Sequence, residues 1–149
     1  MRIALFQPDI PQNTGNIIRL ATCFNVPVDI IKPMGFFLFD KKFKRSAMDY
    51  LNSADITEYS DWNEYKDWYK KEGFRLILLT TKASKKYYDI NYEKKDILLF
   101  GRETEGVPNK IHDIADERIV IPIDKNLRSL NVSSAAAISL SEALRQLKN

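Results

Sequence analysis

The chain has 149 residues, 44% of them apolar, enough for the core of one ordinary globular domain and too few for two independent ones. Lysine and arginine number 23 against 20 acidic residues, and the resulting net charge of +3 permits nucleic-acid binding without establishing it. A single cysteine, Cys23, excludes an internal disulfide framework and a multi-cysteine zinc site, and no apolar run reaches the roughly 18 residues of a membrane span.

With no signal-peptide layout at the amino terminus, a cytosolic protein in a reducing compartment is expected, with Cys23 a small buried hydrophobe. In chain order, short β-rich runs alternate with helical patterns: "RIALFQ", "GNIIRLATCFN", "VDIIKP", and a helix around "DKKFKRSAMDYL". The series continues with "DWNEYKDWYKKEG", "RLILLTT", "DILLFG", "NKIHDIA", "ERIVIPI" and a final helix. Runs as apolar as "RLILLTT" and "DILLFG" suit parallel strands covered on both faces, so the fold class is α/β, a mostly parallel central sheet flanked by helices. No repeat, linker or break in composition divides residues 1–149, which are expected to form one domain.

The polar, glycine-bearing segments follow the strands: "QPDIPQNTGN", "TTKASKK", "GRETEGVP" and "DKNLRSLN". Ligands of open α/β sheets bind beyond the carboxyl ends of strands, so the site is expected among these loops. In the first, Asn13 or Thr14 is the expected helix cap, and Ile17, Leu20, Ala21 and Phe24 share one buried face. Arg19 falls nearly opposite, either as a solvated arginine or as a guanidinium fork aimed at a phosphate. In "LLFGRETEGVP", Gly101 leaves room for a ligand against the backbone, and Glu103 is an acceptor for neighbouring amides or for the ligand, although an ordinary turn explains the glycines nearly as well. No lysine follows the second glycine and G-x-G-x-x-G is absent, which counts against nucleotide hydrolysis and nicotinamide binding.

The last helix carries an apolar stripe of Ala136, Leu140, Ala143, Leu144 and Leu147, with Ile138 pointing elsewhere and Ala135 and Ser139 on the remaining sides. Small residues on several faces suit close packing or a twofold interface. The loop "LRSLN" leads into this helix, so Arg128, Ser129 and Asn131 stand on a rigid support. His112 reads as part of a surface helix and, with no partner histidine or cysteine motif, not as a metal ligand; no metal is expected. Trp62, Tyr65, Trp68 and Tyr69 recur at helical spacing and read as core. The stretch "FFLFDKKFKRSAMDY" interleaves Phe36, Phe37, Phe39 and Phe43 with Lys41, Lys42, Lys44 and Arg45, as an RNA-binding surface or an amphipathic helix would.

Taken together, "QPDIPQNTGNIIRLA", "PMGF", "LLFGRETEGVP" and "IPIDKNLRSLNVSSAAAISLSEALRQL" resemble the SPOUT superfamily of knotted RNA methyltransferases. Within it they look most like the small tRNA 2′-O-methyltransferases that modify the ribose of the wobble nucleotide, cytidine or uridine. The match runs in order over nearly the whole chain. The resemblance implies S-adenosyl-L-methionine as cofactor, a homodimer, and a deep trefoil knot in the carboxyl-terminal half, which no periodicity would suggest. It implies a cofactor pocket at Leu79, Gly101, Ile121 and Ser129, with Thr80, Glu103 and Leu130 on the same wall. Arg19 matches an arginine beside the methyl acceptor and Asn131 the asparagine of the last motif; with Ser129 they are the expected catalytic set.

The dimer surface is then expected to hold the tRNA anticodon stem-loop, with Arg19, Lys41, Lys42, Lys44 and Arg45 in contact. A guanidinium stays protonated in proteins, so Arg19 is expected to orient the hydroxyl while a phosphate or water takes the proton. Many relatives have a proline at Arg102, an arginine near Glu105, a serine at Leu127, and a tyrosine where Ser141 precedes Glu142 and Ala143. Ribosomal RNA as the substrate, and a non-catalytic knotted RNA-binding module, stay open as alternatives.

Overall fold

The computed structural model describes residues 1–37 and 48–148. The chain order is β1 (Arg2–Phe6), α1 (Pro11–Cys23), β2 (Val28–Ile31), a 3-10 turn (Met48–Ser53), β3 (Ile56–Tyr59), α2 (Trp62–Lys71) and β4 (Arg75–Leu79). Then come β5 (Lys85–Lys86), β6 (Asp96–Phe100), α3 (Asn109–Ile114), β7 (Glu117–Val120) and α4 (Val132–Leu147). The 7-stranded sheet has the order β3-β2-β1-β6-β4-β7-β5, every neighbouring pair parallel.

Alternation along the strands divides the core into two layers. Ile3, Leu5, Ile77, Leu98 and Phe100 face one side, where Ile17, Ile18 and Ala21 of α1 meet Ala136, Leu140 and Ala143 of α4. Ala4, Phe6, Leu76, Leu78, Ile97 and Leu99 face the other, against Trp62, Tyr65 and Tyr69 of α2 and Ile111 of α3. The expected aromatic packing of α2 is therefore present, and all five residues of β6 are buried, as two-sided coverage requires. At the amino ends of the strands the fully buried carboxylates of Asp29 and Asp96 are gripped by Arg2 and Arg75, each through two hydrogen bonds of 2.6 to 2.8 Å. Tyr65 also donates to Asp29 at 3.1 Å. Buried carboxylates need such pairing, and it fixes the sheet end opposite the polar loops.

Several expectations are corrected. Helix α1 starts at Pro11 behind Ile10, with no side-chain cap, so Asn13 and Thr14 lie inside its first turn; proline is pre-set for that first helical position. Its buried face includes Ile18, whereas Phe24 is 49% exposed. Cys23 closes the helix and is exposed. Of the helix expected around "DKKFKRSAMDYL", residues 40–47 lie outside the described residues, and the described end is the 3-10 turn. Strands β3 and β5 escaped the sequence reading; both flank the sheet, are short, and carry polar residues such as Glu58, Lys85 and Lys86.

Candidate active site

Register brings the carboxyl ends of the middle strands level: Leu5 lies opposite Phe100, which lies opposite Leu79, which lies opposite Ile119. The loops leaving these ends surround a cavity of about 670 Å³, within the size range of small-molecule sites. Its walls are Leu78 to Lys82 at the end of β4 and beyond it, Gly101 to Val107 after β6, Ile119 to Ile121 with Ile123 at the end of β7 and beyond it, and Arg128 to Val132 at the start of α4. Ile10, Asn13, Phe100, His112 and Ala135 complete it.

The β6 loop is a tight hairpin turn. Arg102 and Gly106 exchange backbone hydrogen bonds of 3.0 and 2.9 Å, and Gly106 has φ of +69°, a conformation glycine adopts freely. A Cβ on Gly101 would come within 2.5 Å of the Gly106 carbonyl carbon and 2.9 Å of the Val107 nitrogen. Only glycine lets this loop fold back so closely at the cavity wall.

Polar ties hold the β6 loop against the first loop. Glu103 accepts from the Asp9 backbone N–H at 2.9 Å and from the Asn13 amide at 3.1 Å. Asp9 in turn accepts from Arg102 at 2.8 Å and from the Thr104 hydroxyl at 2.7 Å. The Arg102 guanidinium, followed by the Thr104 hydroxyl, holds the Asp9 carboxyl below the usual carboxylate range against the opposing effect of burial. The "PMGF" stretch supports this loop from behind: Gly35 N–H donates to Pro8 at 3.0 Å, and a Cβ on Gly35 would meet the Asp9 carbonyl oxygen at 3.1 Å.

Asn131 joins the last loop to the same network. Its side-chain oxygen caps α4 by accepting from Ser133 N–H at 2.8 Å, while its amide donates to Asn13 at 2.9 Å. The cavity thus brings together Leu79, Thr80, Gly101, Glu103, Ile121, Ser129, Leu130 and Asn131. Glu103 spends both carboxylate oxygens on protein donors, so it braces the wall.

Arg19 does not line the cavity of its own chain: it is exposed on α1, its guanidinium 5.2 Å from the centre of the Tyr50 ring. Lys41, Lys42, Lys44 and Arg45 lie outside the described residues. His112 overturns the surface reading, being 9% exposed and on the cavity wall. The sequence reading also missed the bracing by Asp9 and Asn13; their spacing from Arg102 and Glu103 carried no signal until β1 and β6 were seen to be neighbours.

A parallel sheet with a cavity at the carboxyl ends of β4, β6 and β7, closed by a final helix, is joined by a match of residues 1–141 to the model described as the SpoU rRNA Methylase family. The chain belongs to that family. It is 48% identical over 145 residues to a tRNA (cytidine(34)-2'-O)-methyltransferase of Beijerinckia indica, covering 97% of this chain and 91% of the relative. A solved structure giving insights into the 2-OH methylation of C/U34 on tRNA superposes with TM-score 0.94 at 31% identity, covering 99% of this chain and 95% of its own. The SpoU methyltransferase AviRb from Streptomyces viridochromogenes, in complex with the cofactor AdoMet, superposes with TM-score 0.90 at 26% identity, over 99% of this chain and 60% of its own.

Proposed function

We propose that the chain is an S-adenosyl-L-methionine-dependent tRNA 2′-O-methyltransferase acting on the ribose of nucleotide 34, cytidine or uridine. The convergence of Leu79, Gly101, Ile121, Ser129 and Asn131 on one cavity carries this reading, and the relatives' activity on cytidine 34 supports it. The cavity fits the cofactor on its own terms. It is large enough, Gly101 keeps one wall at backbone thickness, and its lining offers both signs of charge to a zwitterionic amino-acid tail, from Lys82 and Arg128 to Glu105. When bound, S-adenosyl-L-methionine supplies a methyl group already activated on a sulfonium, with an uncharged thioether as leaving group.

The protein's own task is then alignment and management of one proton. Backbone at Leu79, Gly101 and Ile121, with Ser129 and Leu130, holds the cofactor. Asn131, held by its cap on α4, serves the acceptor end. Arg19 orients the ribose hydroxyl and its phosphate with a guanidinium that keeps its own proton, and a phosphate oxygen or water accepts the proton released.

Because Arg19 lies outside its own chain's cavity, it acts across a homodimer. Leu127, Leu130, Ile10 and Phe24, exposed by 38% to 65%, offer apolar surface for that pairing. The 149 residues work as one domain, threaded as a deep trefoil knot. Supporting the knot, the chain leaves β7 beyond β4 and returns through residues 121–131 to pack α4 on α1. The anticodon stem-loop lies on the dimer surface, with Lys41, Lys42, Lys44 and Arg45 on its phosphates, in the cytoplasm. Mass spectrometry of total tRNA and rRNA from cells with and without the gene tests the assignment: loss of 2′-O-methyl at nucleotide 34 is expected, and loss confined to rRNA would redirect it.

A further inference from the structure

Arg19 stands on the exposed face of α1, with its guanidinium carbon over the Tyr50 ring, 5.2 Å from the ring centre. That separation lies inside the roughly 6 Å over which the face of an aromatic ring attracts a cation. Arginine adds a plane to the charge, so a ring can restrain its orientation as well as its place.

The ring has a firm support. Tyr50 is half-buried on the 3-10 turn Met48–Ser53, and its neighbour Leu51 packs into the core layer shared by α1 and α4, followed there by Ala54 and Ile56. Ala54 N–H closes the turn on the Leu51 carbonyl at 3.4 Å, and the Asp55 carbonyl accepts from Val28 N–H at 2.8 Å where β3 joins β2. A long side chain on an open helix face samples many rotamers, and ordering it in advance removes an entropic barrier to reaction. A ring does so without consuming guanidinium N–H donors, whereas a carboxylate would take two of them.

We propose that Tyr50 is a positioning residue for methyl transfer, its ring holding the Arg19 guanidinium in the orientation that meets the acceptor ribose and its phosphate. The proposal rests on the reading of Arg19 as the residue at the acceptor site. Arg19 serves a cavity that it does not line in its own chain, so the direction in which it points matters as much as its charge. The Tyr50 ring sets that direction before RNA arrives.

The test changes the electrons of the ring and keeps its shape. Full-length protein carrying phenylalanine, or mono-, di- or trifluorinated phenylalanine, in place of Tyr50 is assayed by single-turnover methyl transfer to tRNA. Calorimetry with S-adenosylhomocysteine and urea unfolding are run on the same samples. Tyr50→Phe should retain most of the wild-type rate, and the rate should fall stepwise with each added fluorine while cofactor affinity and unfolding midpoint hold. Tyr50→Leu should lower the rate about tenfold, and in an Arg19→Ala background it should lower it no further. A rate indifferent to fluorination, a loss already complete in Tyr50→Phe, or a Tyr50→Leu effect undiminished in the Arg19→Ala background would overturn the role of Tyr50. Arg19→Ala protein that methylates at the wild-type rate would instead overturn the acceptor-site reading of Arg19, and this proposal with it.

Discussion

Asn131 donates its amide to the side-chain oxygen of Asn13 at 2.9 Å, across a sequence separation of 118 residues. The same Asn131 caps α4, and the same Asn13 donates to Glu103, so the first helix, the β6 loop and the last helix are registered by one chain of bonds. Asn131→Ala should cost about 1 to 2 kcal/mol through loss of the cap, measured by urea unfolding. Asn131→Asp keeps the cap acceptor and loses the donor facing Asn13, so it should keep most of the stability and still lower methyl transfer. Equal effects of the two substitutions on both readouts would refute the separation of roles.

The Asp9 carboxylate gives a pH signature. Its pKa is lowered in the folded state, first by the Arg102 hydrogen bond, so its stabilising contribution is complete above the ordinary aspartate value of about 3.9. It fades as pH falls from there through the folded value, because the unfolded chain then binds the proton more readily. Asp9→Asn should be less stable than wild type at pH 7, and the gap should narrow below about pH 4. A gap independent of pH would show that the pair contributes nothing through charge.

At Gly101 the prediction is steric. A Cβ there would meet Gly106 and Val107 backbone at 2.5 to 2.9 Å, and backbone cannot swing aside as a side-chain tip can. Gly101→Ala should destabilise by about 1 to 3 kcal/mol and weaken cofactor binding at least about tenfold. Unchanged calorimetric affinity would remove Gly101 from the cofactor wall.

Much of this geometry was legible before any coordinates. Nearly continuous apolar runs gave β4 and β6, and polar loops trailing the strands located the cavity at the correct end of the sheet. Period alone could not tell that β1 and β6 are neighbours, and so the pairing of Asp9 with Arg102 and of Asn13 with Glu103 stayed hidden. His112 was misread because α3 is a single short helix of six residues, too brief for its buried face to declare itself. Cys23 was misread for the opposite reason: average burial of cysteine says little about the last residue of a helix.

Arg19 tests whether charge or shape matters. Arg19→Lys keeps the cation and loses the planar fork, so methyl transfer should fall about 100-fold through misplacement of the acceptor. Cofactor binding should stay unchanged, since Arg19 does not line the cavity. Single-turnover assays with calorimetry separate the two, and wild-type rates in the variant would remove Arg19 from the acceptor site.

The most direct measurement is methyl transfer by the purified protein from labelled S-adenosyl-L-methionine to an unmodified tRNA, compared with the same tRNA carrying a 2′-deoxy sugar at nucleotide 34. We predict label on the ribose of nucleotide 34 in the first and none in the second. Label that persists on the deoxy substrate, or that falls on a base, would contradict the account.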